Sequence, residues 1–241
     1  MSKNLKVLAI IPARGGSKGL KKKNLRKILG RPLLYYPIKS AIKSGVCDDV
    51  FVSTDSYEIA KQAISFGAEV PFLRKKNYSG DLVTTEKTLQ NALLEYEKYK
   101  NIKYDICVFL TCTNIFRKHS FITKAVTNLI NNPKTQSSFV VKKIYKHFWH
   151  YSGDKLKKVL PWMKEYTSRQ VAPKLFREDT GIALASRSYL WRKGKRIGSS
   201  VELIENDFPV SEIDMHDKDD LELASNAMKL LKKQKKISQI Y

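Results

Sequence analysis

A chain of 241 residues, 42% hydrophobic and 28% charged, is long enough to bury one large core and too apolar to be disordered. No apolar run approaches the ~20 residues that span a bilayer, and Met1-Ser2-Lys3-Asn4 enters an apolar run too short for a secretory leader, so a soluble, cytoplasmic protein is expected. The formal charge of +22, from 45 Lys and Arg against 23 Asp and Glu, raises a nucleic-acid-binding reading that the rest of the chain has to answer.

In chain order, short apolar runs at 6–11 (KVLAII), 50–53 (VFVS), 68–73, 105–110 and 138–141 read as strands buried on both faces. Between them, 56–66, 85–99 and 120–131 place apolar residues three and four apart, the spacing of amphipathic helices. A further segment opens at Pro32 and closes at Gly45; Pro37 interrupts it, so the helix proper is expected from there. Gly45 and Gly67 mark helix stops. Such alternation predicts an α/β fold with a parallel sheet and ligands at the carboxyl ends of its strands. Residues 142–180 break the rhythm. Polar, aromatic and basic, they read as an irregular insertion that leaves the sheet and packs on something else, such as a second subunit. The run 181–186 returns to the core as a strand, and the acidic segment 212–222 leads into a last helix, 221–231, with a lysine-rich end. The chain is read as one domain, 1–241, with an embedded arm at about 142–180.

Three cysteines, Cys47, Cys107 and Cys112, are odd in number and lack CxxC spacing, which supports neither a disulfide framework nor a structural zinc site. His147 and His150 stand three apart in an extended, aromatic stretch, where such positions face opposite ways; packing or sugar contact is expected of them rather than metal.

The most informative stretch is Pro12-Ala13-Arg14-Gly15-Gly16-Ser17-Lys18-Gly19-Leu20-Lys21-Lys22-Lys23-Asn24, directly after a buried strand. Glycines let backbone N–H groups approach an anion closely, and the cations neutralise a polyphosphate. The stretch is neither GxxxxGK[ST] nor GxGxxG, so the P-loop and dinucleotide fingerprints both fail. The bland alternative, a solvated basic turn, needs neither this order nor a strand-end position.

This stretch resembles the N-terminal signature of the CMP-N-acetylneuraminate synthetase family, I-P-A-R-G-G-S-K-G-x-x-x-K-N, at every fixed position. Further segments are similar in the same order: Ser53-Thr54-Asp55, Gly67 to Arg74, Asp81 with Thr84-Thr85-Glu86, Lys146-His147-Phe148-Trp149, Arg169-Gln170, and Thr180-Gly181 where the family commonly has Asn-Gly. The resemblance implies a Rossmann-like sandwich of the nucleotide-diphosphosugar-transferase type, with a mostly parallel sheet and an inserted dimerisation arm. It also implies that CTP and an acidic 2-keto-3-deoxy sugar are joined, releasing pyrophosphate, in a homodimer. By the same resemblance Arg14, Gly15, Gly16, Ser17, Lys18, Lys23 and Asn24 hold the nucleotide, with Asp81 and Thr85 near it, and Lys23 faces the charge that builds on the α-phosphate.

Where the family has Gln-Pro-Thr-Ser-Pro-Leu-Arg, this chain has Thr111-Cys112-Thr113-Asn114-Ile115-Phe116-Arg117. Thr113 and Arg117 are kept, Arg117 read by the resemblance as a contact to the sugar substrate, and Thr111 replaces the glutamine on the substrate side. Nucleotidyl transfer needs the triphosphate's charge offset, usually by Mg²⁺ on one or two carboxylates. Glu212-Ile213-Asp214 supplies two carboxylates on one face of an extended chain, at the place of the family's Asp-x-Asp, with Asp214 the firmer ligand. Asp217, Asp219 and Asp220 read instead as caps of the last helix. For the sugar carboxylate, a bidentate guanidinium is the fitting partner, and Arg169, Gln170, Arg177 and Thr180 lie on the family's sugar side. Arginine is the minority cation, 10 Arg to 35 Lys, so a clustered arginine is the more informative.

Two alternatives stand beside this reading: a cytidylyltransferase of the 3-deoxy-manno-octulosonate type, and a basic nucleic-acid-binding protein. Against the second, the lysines are spread over the predicted helices and no helix-turn-helix, zinc-finger or RNA-binding signature appears. A basic pocket gathering a nucleotide and an acidic sugar accounts for about eight of the cations; the other lysines read as solvated surface.

Overall fold

The computed structural model describes residues 5–16, 19–165, 168 and 170–241. The first half alternates strand and helix: β1 (Val7–Pro12), the short pair β2 (Lys27–Ile28) and β3 (Arg31–Pro32), α1 (Tyr35–Ser44), β4 (Asp49–Ser53), α2 (Tyr57–Ser65), α3 (Thr85–Lys100), β5 (Ile106–Phe109) and α4 (His119–Asn131). The second half holds β6 (Ser137–Ile144), the hairpin β7 (Trp149–Ser152) and β8 (Lys155–Lys158), β9 (Leu175–Glu178), β10 (Leu184–Arg187), α5 (Ser188–Arg192), β11 (Val201–Glu205) and α6 (Lys218–Lys233). The sheet order is β11-β6-β10-β5-β1-β4, with β9 also paired to β6. Along that path β10 alone runs against the others.

Side chains alternate across β1, and each face finds its own helices. Ala9 and Ile11 pack in the cluster that also holds Ile38 of α1, Ile122 of α4 and Met228 of α6. Leu8 and Ile10 pack with Leu89 and Leu93 of α3 and Trp191 of α5. Burial on both faces is why these strands read as continuous apolar runs. Helix ends follow local chemistry. Ser56 caps α2 by accepting from the Ile59 N–H at 3.4 Å; Asp217 and Asp220 close a reciprocal capping box on α6. Gly45 ends α1 in the left-handed region at φ 69°.

Three expectations are corrected. Helix α1 starts at Tyr35, two residues before Pro37, because a proline in the first turn gives up an N–H that has no intrahelical partner. The run 68–73 makes a single bridge, Phe51 to Glu69, and no strand; Pro71, with no N–H, cannot extend a ladder. The arm is less irregular than its sequence: β6 continues to Ile144, β9 returns antiparallel along residues 141–144, and β7–β8 form a hairpin beyond them. Between β9 and β10, residues 179–183 leave the ladder, opening a gap beside the carboxyl end of β5. Among the described residues no helix is long and apolar enough to cross a membrane.

Candidate active site

The glycine-rich loop leaves β1 at its carboxyl end and is tied to its neighbours. Ala13 N–H donates to Ser53 O at 2.9 Å, and Gly15 N–H donates to Asp55 Oδ1 at 2.7 Å. Asn24, buried, turns its amide inward to Arg14 O at 2.9 Å, closing the loop on itself. Arg14 pairs with Asp81 at 2.6 Å. The far side of the loop lies on the segment that follows Glu212. A Cβ on Gly19 would stand 2.7 Å from His216 O, so only glycine allows this approach. Lys23 Nζ donates to Met215 O at 3.1 Å. Ser17, Lys18 and Arg169 lie outside the described residues.

Two chambers open at the strand ends and share Thr85, Phe109 and Thr111. The smaller, about 310 Å³, is lined by Arg14, Asp81 and Arg74. Arg74 is buried, donates from Nε to Ser79 Oγ at 3.2 Å, and burial lowers its pKa while Asp55 opposes that shift. The larger chamber, about 520 Å³, lies between Thr111, the 179–181 gap and the Glu212–His216 segment. A third, about 690 Å³, adjoins it at Arg177 and Glu212 and is lined by Lys142, Lys143, Lys146 and Lys158.

The gap is held open by close packing. A Cβ on Gly181 would collide with the Asn114 side chain and reach 2.8 Å from Thr111 Oγ1. Thr111 Oγ1 donates to Asn114 Oδ1 at 2.6 Å, and Thr111 N–H to Gly181 O at 3.0 Å. Arg177 grips Asp179 through two bonds, 2.8 and 3.1 Å, which raise its pKa, and it lines both the second and third chambers. Thr180 Oγ1 accepts from Arg196 Nη1 at 2.7 Å.

The two carboxylates of the Glu212-Ile213-Asp214 segment both line the larger chamber, but not from an extended strand: Glu212 closes a 3-10 turn, Pro209–Glu212. Glu212 pairs with Lys142 at 2.6 Å. Asp214 Oδ2 lies 3.3 Å from His216 Nε2, while its Oδ1 is buried with no hydrogen-bond partner among the described residues.

Two residues read as sugar contacts stand elsewhere. Arg117 is fully buried and lines neither strand-end chamber; its Nε donates to Ile182 O at 2.6 Å and its Nη2 to Thr111 O and Gly181 O at 2.8 and 2.6 Å. The long side chain runs under the chamber wall and braces it, because three carbonyls from two loops converge there. Gln170 sits on an exposed turn and lines none of the three chambers. The expected basic pocket is also corrected: Glu86, Glu178, Asp179, Glu212 and Asp214 face Arg177 and Arg196 in the larger chamber, while the lysines gather next door. Sequence reasoning missed Arg74 and Arg196. Their scarcity was the available signal; Arg74 closes the family-like segment Gly67 to Arg74 without a role assigned to it, Arg196 sits in no motif, and only folding brings them to the strand ends. His147 packs its ring edge-on against Trp162, at 5.4 Å.

A family model described as cytidylyltransferase matches residues 8–238. Pseudaminic acid cytidylyltransferase of Campylobacter jejuni is 37% identical over 136 residues, 56% of this chain and 57% of that protein. Post-translational flagellin modification protein B of Campylobacter coli is 30% identical over 198 residues, 82% of this chain and 84% of that protein. N-acylneuraminate cytidylyltransferase of Escherichia coli is 36% identical over 121 residues, 50% of this chain and 27% of that protein. The chain thus spans little more than half the length of the pseudaminic acid relative it matches. Among solved structures, CMP:2-keto-3-deoxy-manno-octonic acid synthetase complexed with CTP aligns at a TM-score of 0.69 and 14% identity, over 93% of this chain and 99% of that one.

Proposed function

Because the chain belongs to the cytidylyltransferase family, we propose that it joins CTP to a nine-carbon acidic, sialic-acid-like sugar in the cytoplasm, giving the CMP-sugar and pyrophosphate for surface glycan synthesis. The names of the Campylobacter and Escherichia relatives, pseudaminic and N-acylneuraminic acid cytidylyltransferases, support that substrate class. The observation that carries the reading is the clasp between the glycine-rich loop and the acidic segment: Gly19 lies against His216 O and Lys23 reaches Met215 O. It sets one cation of the loop, Lys23, against the residue after Asp214, which lines a chamber large enough for a sugar.

In this reading the nucleoside occupies the smaller chamber, between Arg14, Arg74 and Asp81. Lys23 and the loop N–H groups face the phosphates, and the larger chamber takes the sugar, with Arg177 offered to its carboxylate. The bond from the anomeric oxygen to the α-phosphorus forms as the bond to the leaving pyrophosphate breaks. No side chain is assigned as base. The buried, unbonded Asp214 Oδ1 fits a divalent cation; with Glu212 it would hold Mg²⁺, whose chemistry is to offset the charge of the triphosphate.

The test is pyrophosphate release from CTP and Mg²⁺ with N-acetylneuraminate, legionaminate, pseudaminate and 3-deoxy-manno-octulosonate in parallel. Turnover is expected with a nine-carbon sugar and is to exceed that with the eight-carbon one. Tight, salt-dependent binding to random nucleic acid with no turnover on any sugar would sink the proposal.

The arm extends it to a homodimer. Trp149, Tyr151 and Leu156 lie exposed on one face of the β7–β8 hairpin, and a two-stranded hairpin is marginal without cover. We assign that cover to a second copy. Light scattering at working concentration is expected to give twice the chain mass of 27.7 kDa; a monomer would remove the assignment.

A further inference from the structure

Arg196 is built into the wall of the larger chamber by an anchor on its backbone. Beyond α5, Gly194 turns the chain at φ +71°, and Arg196 O then accepts from Trp191 Nε1 at 3.1 Å and from Ser186 Oγ at 2.8 Å. Both donors belong to fully or almost fully buried residues, so the backbone is fixed before the side chain begins. The guanidinium reaches Glu86 Oε1 from Nε at 3.2 Å, Thr180 Oγ1 from Nη1 at 2.7 Å, and stands 3.6 Å from Glu178 Oε2 through Nη2. Glu86 lies in the first turn of α3, next to Thr85 of the shared chamber wall. Glu178 and Thr180 flank the gap on the other side. One cation therefore bridges the first turn of α3 and the opposite wall.

The charge of this cluster decides what it can hold. Two carboxylates flank one guanidinium, so the patch is net negative, and a substrate carboxylate placed on it would face Glu86 and Glu178 at close range. A guanidinium has five N–H groups, two of which hydrogen-bond Glu86 and Thr180 while Nη2 stands near Glu178, and each carboxylate keeps acceptor positions. The wall thus offers donors and acceptors side by side. That is the complement of groups that both donate and accept, hydroxyls and acylamino groups.

We propose that Arg196, with Glu86 and Glu178, reads the neutral polar substituents of the sugar and sets selectivity among acidic sugars. The inference rests on the cytidylyl-transfer reading above. A sugar bound in the chamber covers this wall, and a site built to hydrogen-bond a substituent then rejects a sugar that leaves its polar groups unpaired.

The experiment is steady-state kinetics of wild type, Arg196→Gln, Arg196→Lys and Glu178→Gln. The substrates are the sugar that wild type turns over best and an analogue with hydroxyl in place of its acylamino group, with CTP and Mg²⁺. Arg196→Gln is expected to shift the ratio of the two kcat/KM values by about 10-fold or more, while the KM for CTP stays within about 2-fold. Glu178→Gln, at an exposed position that leaves the anchor intact, is expected to shift the ratio in the same direction. It keeps the proposal testable if Arg196→Gln does not fold. Arg196→Lys is expected to retain the wild-type preference only in part, since an ammonium cannot span both walls. An unchanged ratio, with turnover lost equally for both sugars or not at all, would reduce the cluster to a structural ion pair. Wild-type enzyme that turns over no acidic sugar would instead overturn the reading beneath it.

Discussion

Asp214→Asn is expected to lower kcat by about 10³-fold while the protein stays folded. The substitution keeps the shape of the side chain and removes its charge. What it removes structurally is small: one pair with an exposed His216 at 3.3 Å, and such pairs contribute about 0–1 kcal/mol. That is worth about 2–4 °C of unfolding temperature at most. The functional loss is larger because the buried, unbonded Oδ1 is the oxygen with no other employment in the fold. The Mg²⁺ concentration for half-maximal rate is expected to rise as well. Lys23→Ala is the companion, with an expected loss of about 10²-fold for one displaced cation. Its Mg²⁺ dependence is expected to match wild type, so the two variants separate the metal carboxylate from the phosphate cation. Asp214→Asn with wild-type kcat and Mg²⁺ dependence would strip Asp214 of its role.

Arg117→Ala is expected to lower stability by about 2–4 kcal/mol, or roughly 5–15 °C in unfolding temperature. Two effects oppose each other here. Burial pushes the Arg117 pKa down to about 9, which means the fold is burying a cation against its preference. No carboxylate pairs with it among the described residues, and its Nη1 has no partner there either. Removing that charge relieves a desolvation cost. Against this, alanine leaves Thr111 O and Ile182 O without their donor, whereas Gly181 O keeps the Thr111 N–H. Each buried orphan costs about 1–3 kcal/mol, and the missing side chain adds a cavity. The carbonyl and cavity terms are expected to win. Arg117→Met, which keeps most of the volume, is expected to lose less. A variant at least as stable as wild type in a thermal melt would show that the buried charge dominates.

Arg117 also marks how far reading the chain could go. Its place in the Thr111–Arg117 run was visible and its environment was not, because two of the three carbonyls that receive it come from residues more than sixty positions away. The same holds for Asp81, which was placed near the nucleotide without its ion pair to Arg14, and for Arg74 and Arg196. The fold itself was more legible. The strands 7–12, 49–53 and 106–109 are buried on both faces and so write themselves as apolar runs. The antiparallel return of β9 along β6 was missed, since its exposed, charged strand carries no apolar signature.

The charge with which the chain first presented itself divides along the same line. Composition established a globular chain with an excess of cations, hydrophobic periodicity its α/β alternation, and the order of residues 14–24 a glycine-rich basic loop at a strand end, since local pattern depends only on neighbours in sequence. Where the cations went was settled by the long-range pairing of strands. The segments around the gap at 179–183 and the turn at 209–212 bring four carboxylates into the larger chamber beside Glu86 of α3, and leave the lysines in the cavity next to it. The sign of the charge at a site is a property of which loops meet there, and no count along the chain contains it.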